Sequence, residues 1–597
     1  MGVRRLQTFL EQHCPEACYE VSIPDIAEEY RQRFNRDPVI VVDGSCCFRT
    51  LYGGLDWVCG GQYKEYVKRV TNFFDSFEAI NIKLILYFDG ATQESKRPVW
   101  VSRRLQSMEK AHAIFDSLGK GQTVQNIDPQ LFVLPAGAGN TMSALSKDRC
   151  SVRRSLRECD EEIASYAEKN KCFAILAQDS DYVIYQSGAK YYLSAENLDL
   201  NKMTTLVYDQ KALAEHLLLN VSELPVFASL MGNDFIPADD LRSFHIRLTG
   251  KQRQQAYAAV LVRKVAEYVA SLPKQNDLFL YLGQLSYEVF RKRNRAVDLK
   301  ESILSYGRVW DEVTNTFSVV GPIDTRCRNW DQIMSIAHYN YVNMLSPSHV
   351  YNILRKLPFE MSTALEDCRT SVPPSAVALR LMRQRIYGVA LREYPGGSRT
   401  DHLTVDEWCM CGPQSLTGAL KVPAILPPEN SPKLLDLWLN NTDEIKAEKF
   451  KLLSWIGSAH LFNNKYNIGV IPHQLVSVIC ILSYLYHDAN ILQNWEVKVF
   501  ASTVVDVQAM IVRDLSAINV KKVNVRGVQL ATMFTRAITH LMLANSICGT
   551  PLSCELTRHY QLFDGKMFQK WYLERRTKPK QGNLQHFQLI CDTVLTE

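Results

Sequence analysis

The chain has 597 residues, of which 46% are apolar and 22% are charged, and its net charge at pH 7 is +5. This globular composition excludes a collagen-like or disordered protein, and the length predicts two or three domains. Polar residues interrupt the first 30 positions, so no secretory leader is predicted and the 16 cysteines are expected to be reduced thiols.

The first 240 residues alternate strands with helices. Short apolar runs predict buried strands at residues 38–42, 83–88 and 173–177. Helices are predicted between them, at residues 63–78 and 158–168. Such alternation predicts an α/β domain with a mostly parallel sheet and right-handed crossovers.

Beyond residue 249 the apolar periodicity becomes helical. Helices are predicted at residues 255–272, 281–292, 299–306, 445–455, 474–486 and 528–544. Proline-rich breaks lie near residues 372–374 and 422–432. We therefore predict an α/β domain at residues 1–248, a helical connector at 249–370 and a mainly helical domain at 371–597. The best membrane candidate, residues 475–486, is too short to cross a bilayer, so no membrane association is predicted.

Five short acidic blocks lie in the first 240 residues, and three of them follow the predicted strands. They contain seven carboxylates: Asp43, Asp89, Glu158, Asp160, Asp179, Asp181 and Asp234. Parallel strands bring their carboxyl ends to one edge of a sheet, where open α/β folds keep their sites. Oxygen ligands suit Mg²⁺ and Mn²⁺, and a metal pair about 3.5–4 Å apart promotes phosphodiester hydrolysis. Each block alone also fits an ordinary turn or the start of a helix. The prediction of a metal site therefore rests on all five blocks occurring in this order.

The motifs around these carboxylates resemble the flap endonuclease type of PIN domain. The resemblance rests on Met1-Gly2-Val3-Arg4-Arg5-Leu6, Val42-Asp43-Gly44, Phe88-Asp89-Gly90 followed by Lys96 and Arg103, Glu158-Cys159-Asp160, Asp179-Ser180-Asp181 and Gly232-Asn233-Asp234. It implies that the seven carboxylates are catalytic residues holding two Mg²⁺ or Mn²⁺ ions. It also implies that Gly2, Lys96 and Arg103 contact the nucleic-acid backbone.

A second resemblance, to the constitutive coactivator of PPAR-gamma family, extends into the second half of the chain. It rests on Cys46-Cys47, Trp57-Val58-Cys59-Gly60-Gly61-Gln62, Leu230-Met231-Gly232-Asn233-Asp234-Phe235-Ile236-Pro237, Leu437-Trp438-Leu439-Asn440, Asn545-Ser546-Ile547-Cys548-Gly549 and Phe563-Asp564-Gly565-Lys566. The later motifs have no catalytic meaning, which favours shared descent. The resemblance implies a PIN-like domain at the amino terminus and a binding and regulatory role.

One departure from the flap endonucleases concerns the segment after Asp234. In those enzymes a Gly-x-Gly turn follows the last catalytic aspartate and holds a potassium ion and the downstream duplex. This chain has no such glycine pair there. The resemblance therefore implies that the duplex grip is missing, and single-stranded RNA or a binding-only role fits better.

Basic residues are frequent between Asp89 and Glu158, with Trp100, Phe115 and Phe132 interspersed. Cations neutralise phosphates and aromatic rings stack on unpaired bases, so this stretch is a candidate substrate arch. The alternative is a solvated helical face. Two further basic runs, at residues 291–295 and 575–580, fit nuclear localisation signals, RNA contacts or plain surface. The close cysteine pair Cys409 and Cys411 lacks the second pair that a structural zinc site needs.

Two hypotheses of function follow. The preferred one is a regulatory adaptor that binds nucleic acid, RNA rather than DNA, and contacts protein partners through its C-terminal region, in the nucleus, the cytoplasm or both. The alternative is an active Mg²⁺- or Mn²⁺-dependent nuclease. The retained carboxylates favour the alternative, because acids this close repel one another without cations.

Overall fold

The computed structural model describes residues 2–250, 254–273, 275–307, 328–395, 403–409, 412, 416–463 and 468–596. The chain forms two compact units, each discontinuous in sequence. The first comprises Met1–Thr50, Asn72–Val99 and Ser146–Val320, and the second comprises Leu51–Thr71, Trp100–Leu145 and Gly321–Glu597. The domain boundaries predicted in sequence order stay predictions.

Seven strands of the described residues form the sheet of the first unit. They are β1 Cys18–Ser22, β2 Val39–Asp43, β3 Lys83–Phe88, β4 Ser151–Arg154, β5 Ala174–Ala177, β6 Tyr191–Ser194 and β7 Thr204–Tyr208. Their order is β1-β7-β6-β5-β2-β3-β4. The five strands from β6 to β4 run parallel, and only the β1–β7 and β6–β7 pairs are antiparallel. The predicted mostly parallel sheet is confirmed.

The helices up to residue 305 occupy the predicted α/β stretch and the start of the helical region. They are α1 Leu6–His13, α2 Ile23–Phe34, α3 Gly44–Tyr52, α4 Tyr63–Ala79, α5 Arg97–Gly119, α6 Ala138–Lys147, α7 Cys159–Asn170, α8 Gln210–His216, α9 Leu224–Met231, α10 Arg242–Thr249, α11 Gln254–Ala270, α12 Gln275–Phe290 and α13 Ala296–Ser305. The predicted helices α4, α7, α11, α12 and α13 are present, with ends that shift by a few residues.

The central strands of the first unit are apolar because both of their faces are buried in its core. All four residues of β5 are buried, as are Ile40, Val41 and Val42 of β2. Helices cover both faces of a parallel sheet, so such strands contain no polar alternation. The same core includes Leu6 and Phe9 of α1, which ties the amino-terminal segment to the sheet.

The second unit is mainly helical, as predicted for the C-terminal region. Its later helices are α14 Arg328–Val342, α15 Ser348–Leu354, α16 Ser375–Ala378, α17 Arg380–Leu391, α18 Leu434–Leu439, α19 Asp443–Gly457, α20 Ala459–Asn463, α21 His473–Ser483, α22 Asn494–Ala509, α23 Val512–Ser516, α24 Val525–Ile547, α25 His559–Leu562, α26 Gly565–Leu573 and α27 Leu584–Leu595. Within the described ranges, no helix is both long enough and apolar enough to cross a membrane.

A small sheet in the second unit was not predicted. Its strands are β8 Phe359–Glu360, β9 Thr404–Trp408 and β10 Leu420–Pro423, in the order β10-β9-β8. The strands are short, and β9 buries Glu407, so none of them shows the apolar run that marks a strand in sequence.

Candidate metal centre

The sheet brings the acidic blocks to one edge. Asp43 is the last residue of β2, Asp89 follows β3 directly, and Asp179 lies two residues beyond β5. Because β2 is parallel to both β3 and β5, these three carboxylates lie at the same end of the sheet. Glu158 is the residue before α7, and Asp160 lies in the first turn of that helix.

Asp43 is held by the backbone at the start of α3. Its Oδ1 accepts hydrogen bonds from the N–H groups of Ser45 at 3.0 Å and Cys46 at 3.2 Å. The Ser45 hydroxyl accepts in turn from the N–H of Asp89, at 3.2 Å. Burial, together with the negative charge of Asp89, raises the pKa of Asp43 to about 8.

Three carboxylates form the tightest part of the site. Oxygens of Asp160, Asp179 and Asp181 all lie within 4.8 Å of one another. Asp179 accepts from the N–H of Asp181 at 3.1 Å, in a 3₁₀ turn over Ser180–Val183. Burial and the charge of Asp179 raise the pKa of both Asp160 and Asp181 well above the ordinary aspartate range. An oxygen-only donor set of this size, destabilised by its own repulsion, fits a hard divalent cation such as Mg²⁺ or Mn²⁺.

Two tyrosines orient this acidic trio of Asp160, Asp179 and Asp181. The hydroxyl of Tyr182 donates to Asp160 Oδ1 at 2.8 Å, and that of Tyr306 donates to Asp181 Oδ1 at 2.7 Å. Burial and the neighbouring carboxylates raise the pKa of both phenols, which keeps them protonated as donors. Sequence reasoning missed both residues. Tyr182 adjoins Asp181, but Tyr306 lies 125 residues further along the chain and carries no motif.

Lys96 forms an internal ion pair with two of the predicted ligands. Its Nζ lies 2.5 Å from Glu158 Oε2 and 3.5 Å from Asp234 Oδ2. Burial of the lysine works against its charge, but the two carboxylates outweigh it and raise the pKa of Lys96. The seven carboxylates are thus not equivalent. Three form a compact trio, and two others share a single ion-pairing cation of the protein itself.

A pocket opens beside this ion pair. Lys96, Glu158 and Asp234 line it, together with Arg157 and Phe235. The ammonium of Lys96 lies 5.8 Å from the centre of the Phe235 ring. The pocket therefore presents two cations and an aromatic face, but five acids also line it: Glu158, Glu161, Asp234, Asp298 and Glu301.

The amino-terminal segment lies against the trio. Gly2 has a φ of +77°, and a Cβ at this position would lie 1.8 Å from Asp179 Oδ1. The N–H of Arg4 donates to Gly232 O at 2.9 Å, and the Ser180 hydroxyl donates to Val3 O at 3.2 Å. Only glycine fits this conformation and this close approach. Arg103 belongs to the second unit, where it is exposed, and its contact with nucleic acid stays a prediction.

Replacing Gly2 with alanine is expected to displace the amino-terminal segment from Asp179 and to abolish stabilisation by Mn²⁺. Gly54→Ala is the matched control, because Gly54 has a φ of +72° and a Cβ added there would have no atom within 4 Å. Both variants carry a left-handed strain of about 1 kcal/mol, but only Gly2→Ala adds the clash. The measurement is the shift in Tm on adding Mn²⁺. Equal shifts in the two variants would show that the Gly2 contact is irrelevant to the site.

The mostly parallel sheet and its acidic edge define an α/β protein with a candidate metal centre. A family model described as the FAM120A-like domain matches residues 217–308. The constitutive coactivator of peroxisome proliferator-activated receptor gamma of Bos taurus is 28% identical, over 96% of this chain and 91% of that protein. The Homo sapiens protein of the same name is 35% identical, over 48% of this chain and 31% of that protein. These matches confirm the resemblance to the constitutive coactivators.

Among solved structures, the catalytic core of Rad2 in complex with DNA substrate is similar to this chain with a TM-score of 0.32 and 14% sequence identity. The match covers 58% of this chain and 98% of that one.

Proposed function

We propose that this protein is a regulatory adaptor that binds nucleic acid through its nuclease-like first unit, with RNA preferred over DNA. Protein partners are assigned to the C-terminal region, and the site of action to the nucleus, the cytoplasm or both. The similarity to proteins named as constitutive coactivators supports a regulatory role over a catalytic one.

The pairing of Lys96 with Glu158 and Asp234 is the observation that carries this proposal. Two-metal hydrolysis needs carboxylates for two cations, one activating water and one stabilising the leaving oxygen. Here Lys96 pairs with two of the seven carboxylates, while the acidic trio suffices for one divalent cation. In this proposal the trio and Lys96 together hold a phosphate, while Glu158 and Asp234, paired with Lys96, do not serve a second cation.

The pocket beside Lys96 supplies the means of binding. Lys96 and Arg157 are the cations of this pocket that would contact phosphate oxygens, and Phe235 offers a face to an unpaired base. Because five acids also line the pocket, a divalent cation at the acidic trio would offset their charge when phosphate binds. Such contacts recognise single strands without reading their sequence. They fit the expected absence of a duplex grip after Asp234.

A Mg²⁺- or Mn²⁺-dependent nuclease is the second candidate. The acidic trio favours it, since Asp160, Asp179 and Asp181 stay close despite their mutual repulsion. When bound, a divalent cation there would polarise a phosphate oxygen. Tyr182 and Tyr306 would keep two of its ligands in place.

The double variant Asp179→Asn/Asp181→Asn distinguishes the two candidates. We expect the wild type not to cleave single-stranded RNA or DNA in Mn²⁺. We expect the variant to bind single-stranded RNA as tightly as the wild type or a few-fold more tightly, because it removes negative charge near the phosphates. Binding is measured by fluorescence anisotropy and cleavage by gel electrophoresis of labelled strands.

Asp37→Asn/Asp148→Asn is the matched control, because both residues are exposed acids of the first unit. Cleavage by the wild type and by this control, but not by Asp179→Asn/Asp181→Asn, would replace the adaptor with the nuclease. A wild type that binds neither RNA nor DNA at low salt would refute the nucleic-acid part of the proposal.

A further inference from the structure

A second group of metal-ligating side chains lies within the second unit, outside the acidic edge. It consists of His112 on α5 and the adjacent residues Asp367 and Cys368. His112 Nε2 lies 3.5 Å from Cys368 Sγ and 3.6 Å from Asp367 Oδ1. One ligand atom from each of the three residues lies within 4.8 Å of the other two.

These separations match the edges of a zinc tetrahedron. With Zn–S near 2.3 Å and Zn–N near 2.0–2.1 Å, tetrahedral angles place sulfur and nitrogen about 3.5 Å apart. Nitrogen and a carboxylate oxygen come about 3.4 Å apart by the same geometry. The observed distances of 3.5 and 3.6 Å therefore need almost no rearrangement to admit an ion.

The backbone that carries two of the ligands is anchored to α24. The N–H of Asp367 donates to Gln529 Oε1 at 2.8 Å, and the Thr532 hydroxyl donates to Leu365 O at 2.6 Å. Leu365 also packs in one apolar cluster with Ala111, the neighbour of His112. Both ligand-bearing segments are thus fixed by one core, so the ligands are positioned before any ion binds.

Arg369 orients the carboxylate. Its Nε donates to Asp367 Oδ1 and its Nη2 donates to Asp367 Oδ2, both at 2.9 Å. Hydrogen bonds of this kind commonly fix metal-binding carboxylates. The charge of Arg369 is offset by Asp116, whose Oδ1 accepts from Nη2 at 2.7 Å. The guanidinium thus holds Asp367 with its positive charge largely compensated.

We propose that His112, Asp367 and Cys368 bind a zinc ion and leave its fourth position open to solvent or an added ligand. The mixed nitrogen, oxygen and sulfur donors suit zinc better than Mg²⁺ or Mn²⁺, which take oxygen ligands. The thiol gives up its proton on binding the metal. Sequence spacing does not reveal the site, because Cys368 lies 256 residues from His112.

Cobalt substitution tests this site with a signal specific to sulfur. Metal-free protein titrated with Co²⁺ is expected to develop a thiolate-to-metal charge-transfer band, which an oxygen-only site such as the acidic trio does not produce. Zn²⁺ should remove the band at one equivalent. Cys368→Ser should abolish the band, and His112→Gln should weaken Zn²⁺ binding at least tenfold in competition with a chelating dye.

Cys554→Ser is the matched control, since Cys554 is an exposed cysteine of the same unit, and it should leave both signals unchanged. The zinc site is overturned if wild type shows no charge-transfer band, or if Cys554→Ser removes it as fully as Cys368→Ser. It is equally overturned if His112→Gln leaves the Zn²⁺ affinity unchanged. In that case His112, Asp367 and Cys368 are polar neighbours and do not bind zinc.

Discussion

In EDTA, the free energy of unfolding of this protein is expected to fall as the pH rises from about 7 to about 8, above the range in which buried histidines with lowered pKa values oppose the trend. The pKa of Asp43 is raised to about 8 in the folded state, from an unfolded value near 4. Between these values Asp43 binds more protons in the folded protein than in the unfolded chain, so its contribution to stability decreases as the pH rises. The raised pKa values of Asp160 and Asp181 act in the same direction.

Mn²⁺ is expected to reverse this loss at neutral pH, because a cation bound only by the folded state stabilises it by mass action. Urea denaturation across the pH range, with EDTA or millimolar Mn²⁺, measures both effects. Asp179→Asn/Asp181→Asn should flatten the pH dependence and remove most of the Mn²⁺ response. If the free energy of unfolding of the wild type does not change with pH, EDTA or Mn²⁺, the carboxylates do not form a metal site.

The strands that position the site could be predicted because the residues of each buried strand show its apolar character directly in the sequence. Apart from Lys83, residues 38–42 and 83–88 are apolar on both faces, as a strand between two helical layers must be, and each run is followed directly by an aspartate. The structure places these strands at Val39–Asp43 and Lys83–Phe88. Parallel pairing then brings the carboxylates to one edge, so the location of the acids followed from topology alone.

The sequence could not predict which of the seven carboxylates form the trio and which pair with Lys96, because this depends on contacts between distant segments. The resemblance to the flap endonucleases implies that Lys96 contacts phosphate, yet in the structure it pairs with Glu158 and Asp234. Tyr306 reaches Asp181 from the end of α13, a helix that sequence marks only as amphipathic. The small sheet was missed for a related reason, since buried Glu407 interrupts the pattern of β9.

Glu407 is tolerated in the core of the second unit because Arg383 pairs with it fully. Nε and Nη2 of Arg383 donate to the two carboxylate oxygens, each at 2.7 Å, and both side chains are 0% exposed. The hydroxyl of Tyr387 adds a third hydrogen bond to Glu407, also at 2.7 Å. Burial alone would raise the pKa of Glu407, but Arg383 outweighs it and lowers the pKa.

Arg383→Met is expected to destabilise the second unit by about 3–5 kcal/mol, because it leaves a buried carboxylate without its counter-charge. The double variant Arg383→Met/Glu407→Gln should lose clearly less, since no uncompensated charge remains. Urea denaturation followed by circular dichroism gives the free energy of unfolding for each variant. Glu407→Gln alone completes the cycle. Losses that simply add, with the double variant less stable than Arg383→Met and Glu407→Gln, would show that the two side chains do not act as a pair. The recovery expected in the double variant follows from the burial of both groups, because a solvent-exposed pair would contribute at most about 1 kcal/mol.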